Sequence, residues 1–203
     1  STGATMTGVN LNLTAVVVAG SINVAQMSLY DNTANATDML FDAVDTTTDT
    51  LTVNTNTELH VASGISFTPV GTITTQGTGI LDVPGTATLD TASNTIAGGI
   101  TVPSGGALHI NADTTVGGTM TVTSTGLVDT TSGTPTVTMS TTSSITGTGA
   151  TTFYNLQTSG TAVLTYNTSG TNTINNTITA AAGTTVNLNS SISIANGLNN
   201  ATS

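Results

Sequence analysis

Thr95-Ile96-Ala97-Gly98-Gly99-Ile100-Thr101-Val102 recurs twenty residues later as Thr115-Val116-Gly117-Gly118-Thr119-Met120-Thr121-Val122. Apolar positions match apolar ones, Gly98 matches Gly118, and Thr matches Thr. A further copy reads Thr173-Ile174-Asn175-Asn176-Thr177-Ile178-Thr179-Ala180, with an Asn pair in place of the Gly pair. Both residue types tolerate left-handed backbone, which gives the exchange a physical reading. A partial copy begins at Ser193-Ile194-Ala195-Asn196. A short period with Gly or Asn punctuation describes stacked coils, because a single repeat cannot bury its own apolar face.

Each copy is followed by a second apolar pair: Leu108 and Ile110, Leu127 and Val128, Val186 and Leu188. Earlier turns follow the same plan at Leu51-Thr52-Val53 with Leu59-His60-Val61, and at Gly71-Thr72-Ile73 with Ile80-Leu81-Asp82-Val83. Between Val122 and Ile174 the spacing stretches, with Val137, Met139, Ile145, Phe153, Leu156, Val163 and Leu164 supplying strands. Six or seven turns at strand spacing make a rod roughly 30 Å long. The expected fold is all-β, a right-handed parallel β-helix or β-solenoid with coils of about 20 residues. A β-sandwich, whose turn signals come every 8–12 residues or so, is the alternative. Residues 50–203 form the repeat region. Residues 1–49 carry little repeat character and are expected to form a cap or donated-strand region.

Composition supports this class. Thr (51), Gly (22), Asn (19) and Ser (18) exceed half of the 203 residues, while 36% are hydrophobic. Thr, Val and Ile favour strands, and Gly and Asn serve turns. Disordered chains usually lack β-branched residues and carry high charge. Six aromatic residues and no Trp leave a core of small aliphatic side chains, which suits a narrow interior.

The chain has no Lys or Arg, ten acidic residues and a net charge of −10. Phosphates therefore find nothing to neutralise them, and no nucleic-acid partner is expected. The apolar run Ala15–Ala19 is far too short to span a bilayer, so no membrane insertion is expected. A chain without Lys or Arg also offers trypsin-like proteases no cleavage site. Together with a first residue of Ser rather than Met, this fits a processed product living at an extracellular surface, the alternative being a fragment of a longer protein.

The stretch Thr152-Phe153-Tyr154-Asn155-Leu156-Gln157-Thr158-Ser159-Gly160, followed by Ala162-Val163-Leu164-Thr165-Tyr166, resembles Thr/Gly/Asn-rich repeat regions of microbial surface proteins. So does Gly98-Gly99-Ile100-Thr101-Val102-Pro103-Ser104-Gly105-Gly106-Ala107-Leu108. These regions include adhesin and autotransporter-type passengers. The resemblance covers about residues 50–200. It implies a right-handed parallel β-helix and an extracellular or cell-surface location, and no activity.

The N-terminal region carries two features. Val9, Leu11, Leu13, Ala15 and Val17 alternate with other residues, the period of a strand. That strand either caps the first coil or completes a neighbouring subunit by β-augmentation. Asp38, Asp42, Asp45 and Asp49 follow at spacings of four, three and four, the spacing of one face of a short helix. Their reading is a solvated acidic face, with calcium as the cofactor it would take if it binds one, because Ca²⁺ takes six to eight oxygens. No EF-hand loop pattern accompanies them.

Signals for catalysis are missing from the sequence. There is no Gly-x-Ser-x-Gly elbow, and Gly77-Thr78-Gly79 and Gly147-Thr148-Gly149 lack the third Gly and the Lys of nucleotide loops. His60 and His109 read as surface histidines flanked by inward apolar neighbours. Glu58, Asp82, Asp90, Asp113 and Asp129 are spread over several coils, with Asp113 and Asp129 as a pair for neighbouring coils. The chain is not expected to be an enzyme. Glycosylation sequons stand at Asn12, Asn35, Asn167, Asn175, Asn189 and Asn200. The expected role is a structural subunit of an extracellular filament, surface layer or adhesin stalk, partnered by further copies of itself and by surface glycans. The alternatives are a viral or phage fibre segment, or a glycan- or ice-binding solenoid on which Thr101, Thr121 and Thr179 form a flat row.

Overall fold

The structure is a computed structural model. It describes residues 71–200 except Ala92 and Thr161. Before these it describes the strands Ala15–Val18, Val24–Leu29, Thr37–Phe41, Thr48–Val53 and Thr57–Val61, with Thr55 and residues 63, 64 and 66–69. The first three strands, the fourth up to Thr52, and Thr57 of the fifth are described as backbone only.

Among the described residues there is no helix, and every strand pairing is parallel. Three sheets run the length of the stack, two of nine strands and one of seven. The chain visits them in a fixed order. In one coil Gly99–Val102 lies on face 1, Ala107–Ile110 on face 2 and Thr114–Val116 on face 3. This is a β-solenoid of about seven turns with about 21 residues per coil. A sandwich is excluded, because its sheets would be antiparallel.

The coil length is not constant. Leu81 stands beside Ile100, nineteen residues on, while Met120 stands beside Ile145, twenty-five on. The long coil contains Thr131-Ser132-Gly133-Thr134-Pro135, an outward loop held by Asn111, whose Oδ1 accepts from the Thr131 and Ser132 amides at 2.9 and 3.0 Å. Inserted residues leave at a corner, so the strands keep their registers.

The best-kept repeat is in the register read from the sequence. Thr95 and Ile96 stand beside Thr115 and Val116 on face 3, and Gly99–Val102 beside Thr119–Val122 on face 1. The Asn-bearing copy does not stack on these two. Thr173 and Ile174 lie on face 2 beside Thr152 and Phe153, and Ile178 lies on face 3 beside Leu156. The motif therefore marks a corner, and it serves two of the three: from face 3 to face 1 in the Gly-bearing copies and from face 2 to face 3 in the Asn-bearing one.

The Asn pair also plays a different role from the one expected. Among the described non-glycine residues only Ser93 and Ser124 have positive φ. Asn176 instead donates from Nδ2 to Asn155 Oδ1 at 2.8 Å, and Asn196 donates to Asn176 Oδ1 at 2.6 Å. The amides form a ladder along one corner, each linking its coil to the next. At the Gly corner the reason is space: a Cβ on Gly98 would lie 2.5 Å from the Gly79 carbonyl oxygen, and one on Gly118 would overlap the Gly98 carbonyl oxygen.

Inward side chains alternate with outward ones, the period of two that strands impose. The interior is a stack of columns. Leu59, Leu81, Ile100, Met120, Ile145 and Tyr166 follow one another on face 1, all buried. Towards the C-terminal coils the columns become polar. Thr151 donates to Asn172 Oδ1 at 3.0 Å, Thr168 donates to the same oxygen at 2.5 Å, and the Tyr166 hydroxyl bonds Thr151. Asn172 Nδ2 donates to Gly170 and Ser191 carbonyls at 2.9 and 3.2 Å, so this buried cluster is mutually satisfied.

Burial pushes the Tyr166 hydroxyl up to about 12, with the Thr151 hydrogen bond pulling the other way. The folded value lies above the ordinary value near 10, so the group's contribution to stability is fully present below pH ~10 and is lost between pH ~10 and ~12. Two units correspond to about 2–3 kcal/mol. Urea midpoints at pH 9 and pH 12 should show this loss in the wild type, and Tyr166→Phe should remove most of it. An unchanged alkaline slope in Tyr166→Phe would contradict the assignment.

Candidate functional site

Outward columns carry the chemistry that sequence reasoning left scattered. On face 3 Thr52, Thr74, Thr95, Thr115 and Thr138 stand side by side on five successive coils, followed by Gln157, Thr179 and Asn199. On face 1 Thr101, Thr121 and Thr146 form a shorter row. Thr179 does not belong with Thr101 and Thr121, as had been expected. It lies on face 3, because its copy of the repeat occupies a different corner.

The same face 1 column begins with charge. His60 stands beside Asp82, and Glu58 beside Ile80. His60 Nδ1 lies 2.7 Å from Asp82 Oδ2 and 3.0 Å from Glu58 Oε1. The three donor atoms lie within 4.8 Å of one another, on side chains that are 17–30% exposed. Glu58 and His60 reach outward from one strand because they are two residues apart. Leu59 and Val61 between and beside them are fully buried. The parallel register then delivers Asp82 from the next coil. A signal was present in the sequence: Leu59-His60-Val61 and Leu81-Asp82-Val83 are the same inward-outward-inward triplet, one coil apart.

His109 lies on face 2, not on the face of His60, and its Nδ1 is 2.5 Å from Asp129 Oδ1 on the next coil. Asp129 is thus matched with His109. Asp113 instead accepts from the Thr136 amide at 2.8 Å, so the two carboxylates serve separate partners. Asp90 accepts from Asn111 Nδ2 at 2.8 Å.

The two described ends of the acidic segment lie in strands and not on one helix face. Asp38 lies in the strand Thr37–Phe41 on face 1 and Asp49 in the strand Thr48–Val53 on face 3. Asp42 and Asp45 lie outside the described residues. Asp38 stands in register beside Glu58.

Of the expected assembly strand, Val9, Leu11 and Leu13 lie outside the described residues. Ala15–Val18 is the outermost strand of face 1, in parallel register with Thr37–Phe41. Ala15 and Val17 stand in the columns of Glu58 and His60, and Val16 and Val18 in those of Leu59 and Val61. The run Ala-Val-Val-Val is apolar at every position, so alternation alone could not set its phase. Asn12 and Asn35 also lie outside the described residues, while Asn167, Asn175, Asn189 and Asn200 are exposed.

The last coil differs from those below it. Thr185–Leu188, Ser193–Ile194 and Leu198–Asn200 are the outermost strands of the three faces. Val186, Ile192 and Ile194 are partly buried against the core, and Leu188 and Leu198 are 38% and 56% exposed. Leu188 and Leu198 continue the inward columns of Tyr166 and Ile178. Among the described residues, no strand covers the outer edges of this coil. Comparison with protein-family models, curated proteins and solved structures finds no match.

Proposed function

We propose that this chain is a structural unit of an extracellular filament, surface layer or adhesin stalk, assembling through β-strand pairing or end-to-end stacking. The observation that supports the reading is the stack of parallel coils with Thr-rich outward columns, a fold built from repeated strand pairing. Unpaired strand edges around an apolar interior form a template for another coil. The usual guard against such pairing is Lys on the edge, and the chain has none. A contact between unlike ends does not close, so it propagates into a fibre.

Negative-stain electron microscopy of the purified chain, with and without calcium, tests this. Uniform filaments are expected. Leu188→Asp with Leu198→Asp should yield dispersed particles with an unchanged far-UV circular dichroism spectrum. Deleting residues 1–18 should abolish filaments if that segment is a donated strand and leave them if the ends simply stack. Dispersed wild-type particles under every condition would overturn self-assembly.

A second reading is favoured by Thr74, Thr95, Thr115 and Thr138 on face 3, which present hydroxyl and methyl groups once per coil, about 4.8 Å apart. Such a row suits a repetitive ligand such as a glycan chain or an ice plane. Thermal hysteresis or glycan-array binding that Thr95→Val with Thr115→Lys abolishes would support it over assembly.

A further inference from the structure

We propose that Glu58, His60 and Asp82 bind a divalent transition cation of the zinc type, stapling two successive coils. The three donors meet within 4.8 Å, and they form the one such group of three among the described residues. Zinc–nitrogen and zinc–oxygen bonds of about 2.0–2.2 Å set tetrahedral donors about 3.4 Å apart. Nδ1 already lies 2.7 and 3.0 Å from the two carboxylates, so small side-chain rotations make room for the ion.

The ion takes the place now held by the Nδ1 proton between the two carboxylates. The neutral imidazole then carries its proton on Nε2 and turns the Nδ1 lone pair to the metal, so binding competes with protons.

The electrostatics favour a cation here. Two carboxylates share one side of a chain that has no Lys or Arg to neutralise them. A dication balances both. The ligand-bearing strands are fixed by ladder hydrogen bonds, which preorganises the donors. Water supplies the remaining donor of a four-coordinate ion. The imidazole selects the ion: nitrogen suits Zn²⁺, whereas Ca²⁺ takes oxygen. His109 faces a single carboxylate, Asp129, and so supplies an internal control.

The test uses the full chain, titrated with Zn²⁺ by calorimetry and with Co²⁺ by visible absorption. One saturable Zn²⁺ per chain is expected at pH 7.5. The affinity should fall at least about tenfold at pH 5.5, because the ligands must be deprotonated. His60→Gln and Asp82→Asn should each weaken binding at least about tenfold, since losing groups that merely support ligands already costs 10–100-fold. His109→Gln should leave it unchanged. Co²⁺ should give the visible bands of a tetrahedral site. Absence of saturable Zn²⁺ binding, equal binding in His60→Gln, or Ca²⁺ displacing Zn²⁺ at equal concentration would each overturn the proposal. The side chains are half-buried and outward, so the variants keep the fold, and metal-free circular dichroism verifies this.

Discussion

Gly118→Val should remove most of the stability of the central coils, by at least about 4 kcal/mol, the range reserved for changes that the structure cannot absorb. A Cβ at this corner overlaps the Gly98 carbonyl oxygen and comes within 2.8 Å of the Gly99 amide nitrogen. Both are backbone atoms, so no side chain can rotate away. The coils are held to their spacing by ladders on either side of the corner, so the clash has to be relieved by separating them. Gly105 is the internal comparison. Its φ is +85°, yet a Cβ there meets nothing within 4 Å. Gly105→Ala should therefore cost only about 1–2 kcal/mol, the penalty for left-handed backbone. Urea denaturation followed by circular dichroism separates the two cases. Equal losses at both positions would show that the corner can expand, which would sink the close-approach argument.

Phe153→Ala should cost about 3–5 kcal/mol. Phe153 is fully buried on face 2, beside Ile174 of the next coil. In most cores the surroundings relax part of the way into a cavity. Here the strands above and below are pinned about 4.8 Å apart, so little collapse is available and the upper part of that range is expected. The outward neighbour Thr152→Ala should stay within about 0.5 kcal/mol. Each coil contacts mainly its neighbours, so the variant should also lower the denaturant slope if coils near residue 153 unfold apart from the rest. A loss under about 1 kcal/mol would mean that the interior refills, contrary to a rigid stack.

The sequence carried the class of this fold because the evidence for it is local. Alternation of Val, Ile and Leu with Thr marks strands, Gly pairs mark corners, and the twenty-residue recurrence between Thr95–Val102 and Thr115–Val122 marks stacking. These features also assigned inward and outward correctly at Leu59-His60-Val61 and Leu108-His109-Ile110, where apolar and polar residues alternate without interruption.

Phase and pairing between coils were decided only by the folded stack. Thr173–Ala180 resembles Thr95–Val102 in its Thr-Ile start and its Ile-Thr end, yet the two occupy different corners, because this corner pattern serves two of the three. Ala15–Val18 is apolar throughout, so only register against Thr37–Phe41 fixes its phase. The Asp38–Asp49 spacing suits a helix, and strand pairing puts both end residues in strands instead. The Glu58, His60 and Asp82 cluster was only half legible, because the like triplets Leu59-His60-Val61 and Leu81-Asp82-Val83 pair across a coil longer than the twenty residues of the best-kept repeat. Coil lengths vary from nineteen to twenty-five residues, so a constant period cannot bring the right residues together. The hydrogen-bond ladder that sets each register is a property of backbone shared by every residue type, and side-chain identity leaves it unspecified.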